Sequence, residues 1–96
     1  MGMKETRYLF VAYDVKDDAL RTKIANMLIY YGLTRIQYSV FKGEIRGDDK
    51  EKILKCLREI GLSVDDKVHV IELCEHCRKG VIVFGEDITV PQHFVV

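Results

Sequence analysis

The sequence predicts an α+β domain. Three observations carry that expectation: an opening run, "YLFVAYDV", that is apolar on both alternating sets; two segments of helical periodicity, each closed by a glycine; and short β-rich runs between and after them.

Taken in order, residues 7–15 read as a strand in which Tyr8, Phe10 and Ala12 alternate with Leu9, Val11 and Tyr13. Both faces of such a strand need cover. The strand ends on a carboxylate, Asp14, followed by Asp17 and Asp18. Asp17 is suited to cap a helix running to about Tyr31, where Leu20, Ile24, Met27, Leu28 and Tyr31 recur at helical spacing and Gly32 supplies the stop. Residues 34–46 follow as extended structure, with a bend expected near Lys42 and Gly43 that splits them into two strands. Asp48 with Glu51 three residues on resembles a capping box for a second helix, whose Ile53, Leu57 and Ile60 face inward before Gly61. "VHVIEL" (68–73) and "GVIVFG" (80–85) read as short strands, 88–90 as a weaker one, and Pro91 precedes an apolar tail, "FVV".

The order β α β β α β, with a further C-terminal strand, suits a ferredoxin-like sandwich with both helices on one face of a sheet. The other face is then bare. For a chain of 96 residues, the simplest cover is a second copy related by two-fold symmetry, giving a homodimer with sheets face to face. The whole chain, 1–96, is expected to form one domain, with about residues 80–96 as a strand and tail that pack on the partner subunit.

Composition narrows the function. At 48% hydrophobic and 31% charged the chain is globular, and no run nears the ~20 apolar residues of a membrane span. No charged leader with an apolar core opens the chain, so a cytoplasmic location is expected. An odd count of three cysteines argues for reduced thiols. Net charge is zero, against a simple nucleic-acid binder, yet residues 1–61 carry 12 Lys+Arg to 9 Asp+Glu. A local basic surface is compatible with that asymmetry.

Asp14 is the main candidate for chemistry. Alone it is a poor Mg²⁺ site, since that ion takes oxygen ligands and is held by one or two carboxylates plus water; two copies of Asp14 meeting across a dimer axis satisfy it. Asp17 and Asp18 fit first-turn acids that complement the helix dipole. "CEHC" (74–77) has the spacing of half a zinc site, but no second pair exists and Cys56 is expected inside a helix. A redox role needs the motif to open a helix after a strand, whereas here it is expected to join two strands. No P-loop, GxGxxG or nucleophile motif is present.

"YLFVAYDV", then "DDALRTKIANMLIYYGL", then "RIQYSVFKGEI" closely resembles CRISPR-associated protein two, the small subunit of the spacer-acquisition machinery, over about residues 7–85. The resemblance implies a ferredoxin-like homodimer in which Asp14 approaches its symmetry mate and holds Mg²⁺, or Mn²⁺, for phosphodiester cleavage of single-stranded RNA or duplex DNA. It places Tyr13, Arg21, Lys23, Arg35, Ser39 and Phe41 at a nucleic-acid cleft. Lys23 stands where an arginine is common, and keeps the charge without the bidentate fork. It also implies a CRISPR integrase partner, and with it a second role: a non-catalytic nucleic-acid-binding scaffold that bridges integrase dimers. A small-ligand regulatory domain of the same fold is a third reading, disfavoured by Tyr13-Asp14 together with "QYSVF".

Overall fold

A computed structural model describes residues 6–85. Strand β1 (Thr6–Asp14) leads into helix α1 (Asp18–Tyr30), the hairpin β2 (Thr34–Gln37) and β3 (Val40–Arg46), helix α2 (Gly47–Glu59), strand β4 (Lys67–Leu73) and a single helical turn, α3 (Glu75–Arg78). The four strands form one antiparallel sheet in the order β2-β3-β1-β4, the expected βαββαβ arrangement.

The core lies on one face only. Leu9, Val11, Tyr13 and Val15 point from β1 toward the helices and are buried with Ile24 and Leu28 of α1, Phe41 and Ile45 of β3, and Ile53 and Leu57 of α2. The helical stripe reads as expected, with Leu20, Met27 and Tyr31 packed at its margins. Asp17 caps α1, its Oδ2 accepting the Leu20 N–H at 2.8 Å, and Gly32 takes a left-handed φ of 99° that other residues rarely adopt.

On the opposite face, cross-strand pairs bring Tyr8 beside Leu73, Phe10 beside Ile71, and Ala12 beside Val40 and His69. Ile71 is 52% exposed. Among the described residues this apolar face is covered only in part, at the Tyr8 end, where the Arg78 guanidinium of α3 lies 4.6 Å from the ring centroid.

Three expectations are corrected. The chain reverses at Tyr38 and Ser39, not near Lys42 and Gly43. Gly43 serves a different need: a Cβ there would stand 3.1 Å from the Leu33 Cα, so glycine lets the α1–β2 connection lie against β3. Second, the capping box does not form. Helix α2 begins at Gly47 directly from β3, so Asp48 and Asp49 sit inside its first turn, and Asp48 Oδ1 accepts the Asp49 N–H at 3.0 Å. Third, residues 80–85 are not a strand. Gly80 and Val81 complete the turn after α3 through N–H bonds to the Cys77 and Arg78 carbonyls, leaving Ile82 75% and Phe84 92% exposed. A strand forms only by pairing, and this run pairs with no edge of its own sheet. The expected strand at 88–90 and the tail lie outside the described residues.

Candidate active site

The alternation of β1 decides where Asp14 goes. It shares the face opposite the helices with Tyr8, Phe10 and Ala12, at the end of that apolar patch, and its cross-strand neighbour on β4 is Lys67. The carboxylate is exposed and, among the described residues, makes no hydrogen bond or ion pair. Nor do three His, Cys, Asp or Glu side chains gather anywhere among the described residues in a way that could hold a metal ion. One copy therefore offers a single open carboxylate.

The segment after Asp14 is held from two sides. Arg21 Nη1 donates to the carbonyls of Val15 (2.8 Å) and Lys16 (2.9 Å), and Nη2 pairs with Asp18. From the α2–β4 loop, Asp66 accepts the Lys16 N–H at 3.3 Å and the Ser63 N–H at 2.9 Å. The guanidinium of Arg21, expected at a nucleic-acid cleft, is thus spent largely on the backbone beside Asp14.

Tyr13 and Phe41 are buried, with ring centroids 6.2 Å apart and planes 20° from parallel. They back the site and present no surface to a ligand in this structure. Ser39 is tied to them through its backbone, its carbonyl accepting the Tyr13 N–H at 3.0 Å. Arg35, the cross-strand partner of Phe41, lies 5.1 Å above that ring and 5.8 Å from the Tyr38 ring. Its Nε is buried without a hydrogen-bond partner, so the aromatic faces supply the compensation. Lys23 belongs elsewhere: it lines a groove of about 500 Å³ between α1 and α2 with Lys52 and Lys55. The structure thus brings Tyr13, Arg35, Ser39 and Phe41 together, sets Arg21 behind Asp14, and leaves Lys23 on the helix layer.

Two residues near Asp14 are not site candidates on the sequence: Lys67 is not singled out there, and His69 has no carboxylate or nucleophile at a recognisable spacing. Lys67 faces Asp14 across the ladder, and His69, opposite Ala12, lies one pleat further along the same face. Alternation in "KVHVIEL" showed Lys67 and His69 on one face; the pairing of 14 with 67 depends on long-range register.

The family model described as CRISPR associated protein Cas2 matches residues 7–81. The chain is similar to the CRISPR-associated endoribonuclease Cas2 1 of Archaeoglobus fulgidus, at 36% identity over 78% of this chain and 80% of the relative. A second relative, the CRISPR-associated endoribonuclease Cas2 of Korarchaeum cryptofilum, is 39% identical over 70% of this chain and 72% of its own. Among solved structures, a hypothetical protein from Thermus thermophilus superposes with a TM-score of 0.69 at 32% identity, covering 85% of this chain and 94% of that one. The Cas2 of Streptococcus pyogenes, at 23% identity and a TM-score of 0.66 over 81% of this chain and 99% of its own, shares the fold. No helix among the described residues is long and apolar enough to cross a membrane.

Proposed function

The chain belongs to the family of CRISPR associated protein Cas2, and from that premise we propose that it acts in CRISPR spacer acquisition as a homodimeric, metal-dependent endonuclease. Its substrate is single-stranded RNA or duplex DNA, and its relatives' names, which call them endoribonucleases, favour RNA. The observation that carries the reading is the placement of Asp14, an exposed carboxylate without a partner among the described residues, at the end of a partly exposed apolar sheet face.

If a second copy covers that face by two-fold symmetry, each β1 delivers its terminal carboxylate to the rim of the interface. Asp14 and the partner subunit's Asp14 then offer oxygen donors of the kind that Mg²⁺ and Mn²⁺ accept, which neither does alone. When bound, such an ion supplies charge stabilisation on the scissile phosphate and a more acidic water. The chain's own residues do the rest. Arg21 and Asp66 fix the backbone that follows Asp14. Lys67 adds positive charge for a phosphate beside it, and His69 on the same face stands where a proton can be passed to or from water. In spacer acquisition the dimer works beside the CRISPR integrase subunit.

A second reading is supported by the absence, among the described residues, of any group of three His, Cys, Asp or Glu side chains that could hold a metal ion. Without close approach of the two Asp14 carboxylates, the same dimer is a nucleic-acid-binding scaffold that bridges integrase dimers. The deciding experiment compares cleavage of labelled single-stranded RNA and duplex DNA by the intact chain and Asp14→Asn at matched dimer content, across Mg²⁺ concentration and pH. Cleavage lost only in the variant supports the nuclease. Undiminished cleavage in the variant removes Asp14 from the chemistry, and no cleavage by either folded dimer favours the scaffold.

A further inference from the structure

Just beyond β4 lies a cysteine pair that the proposed function does not use. Expected to join two strands, "CEHC" instead follows strand β4 and forms the turn α3, with Cys74 as its N-cap. The Cys77 backbone N–H donates to Cys74 Sγ at 3.3 Å. Both residues are exposed, whereas Cys56 on α2 is half-buried. Beside Cys74 lies a cleft of about 220 Å³, reaching to Arg7, Tyr8 and Glu44, which gives a small molecule access to the sulfur.

The two thiols are also unlike each other. The backbone N–H of Cys77 foremost, and its thiol second, hold the Cys74 thiol below the ordinary value. The hydrogen bond to Cys74, and then the negative charge on that sulfur, push Cys77 up. One sulfur is therefore suited to attack and the other to resolve.

We propose that Cys74 and Cys77 form a reversible intramolecular disulfide by exchange with a low-molecular-weight disulfide of the glutathione class. In the first step the Cys74 thiolate, its proton lost to solvent, attacks one sulfur of the small disulfide. A Cys74 mixed disulfide forms and one small thiolate leaves and is protonated. Cys77 then loses its proton, its sulfur attacks Cys74 Sγ, and the second small thiol departs. The protein pair is oxidised by two electrons and the small disulfide is reduced to two thiols. Two cysteines sharing one turn can meet the Cα separation of about 4.4–6.8 Å that a disulfide requires. The site lies at the far end of β1 from Asp14, since Tyr8 pairs with Leu73 and Asp14 with Lys67. Its test is therefore independent of the nuclease reading.

The intact chain is equilibrated with mixtures of oxidised and reduced glutathione, quenched with an alkylating agent and mapped by mass spectrometry of its peptides. The expected product is one disulfide joining Cys74 to Cys77, with Cys56 still alkylated. Cys77→Ser is expected to stop at a glutathione mixed disulfide on Cys74, and Cys74→Ser to keep Cys77 as a free thiol. Circular dichroism checks that both exposed-site variants fold. Persistence of both thiols in the intact chain, a lasting mixed disulfide there, or a disulfide joining two chains each overturns the proposal.

Discussion

Arg21 of α1 reaches back to the strand it follows: its Nη1 donates to the Val15 carbonyl at 2.8 Å and to the Lys16 carbonyl at 2.9 Å. The residue beside Asp14 is thus fixed by a side chain from the next element. Hydrogen bonds from a charged group are worth about 1.5–3 kcal/mol, so Arg21→Ala is expected to lower stability by that order in urea unfolding. Arg21→Lys restores only part, because a single ammonium replaces two nitrogens, Nη1 on the two carbonyls and Nη2 on Asp18. An unchanged midpoint with weakened RNA binding would instead make Arg21 a phosphate contact.

Asp14→Asn behaves oppositely. The carboxylate is exposed and unengaged among the described residues, so the unfolding midpoint should move by no more than about 0.5 kcal/mol. Metal-dependent cleavage should fall about 10²-fold or more, as expected when several kcal/mol of transition-state stabilisation are removed. A parallel loss of stability and activity would mean that Asp14 supports the fold.

Gly43 is a steric prediction. An added Cβ would meet the Leu33 Cα at 3.1 Å and the Gly32 carbonyl at 3.3 Å, both backbone atoms that cannot swing aside. Gly43→Ala should cost about 1–3 kcal/mol, read from thermal or urea unfolding. The same change at a site in the sheet with open space above it would be near neutral.

Glu72 carries a pH dependence. Lys50 Nζ donates to its Oε1 at 2.6 Å, and Arg7 lies 3.3 Å from its Oε2. The hydrogen bond from Lys50 foremost, aided by the charges of Lys50 and Arg7 and opposed by partial burial, lowers the Glu72 pKa from 4.5. A carboxylate with a depressed folded pKa stabilises the fold above its unfolded value, and the contribution disappears as pH falls through the folded one. Glu72→Gln should therefore cost up to about 1 kcal/mol at neutral pH, a small figure because the pair is partly solvated. Near the acid limit of the unfolding curve, variant and parent should converge. A difference that persists unchanged in acid would point to lost packing, not lost charge.

Much of the fold was legible because local periodicity is a property of neighbouring residues. The stripe of Leu20, Ile24, Met27 and Leu28, the Asp17 cap and the Gly32 stop are all local, and they appear as read. Asp14 as the end of an apolar strand was equally visible in "YLFVAYDV". What failed was assignment by composition where pairing decides: "GVIVFG" has the residues of a strand but pairs with neither edge of its sheet, and Gly43 looked like a bend because the approach of Leu33 leaves no trace in the local sequence.

The site divided in the same way. The sequence pointed to Asp14, and the family resemblance put Tyr13, Arg21, Lys23, Arg35, Ser39 and Phe41 at one cleft. Only the tertiary structure buried Tyr13 and Phe41, turned Arg21 onto the backbone, moved Lys23 to the helix layer, and set Lys67 and His69 beside Asp14. Alternation tells which residues share a face, but it does not tell which face the helices cover or which residue of a distant strand comes opposite. Those are set by long-range register and by packing, the free energy of burying one whole face at once.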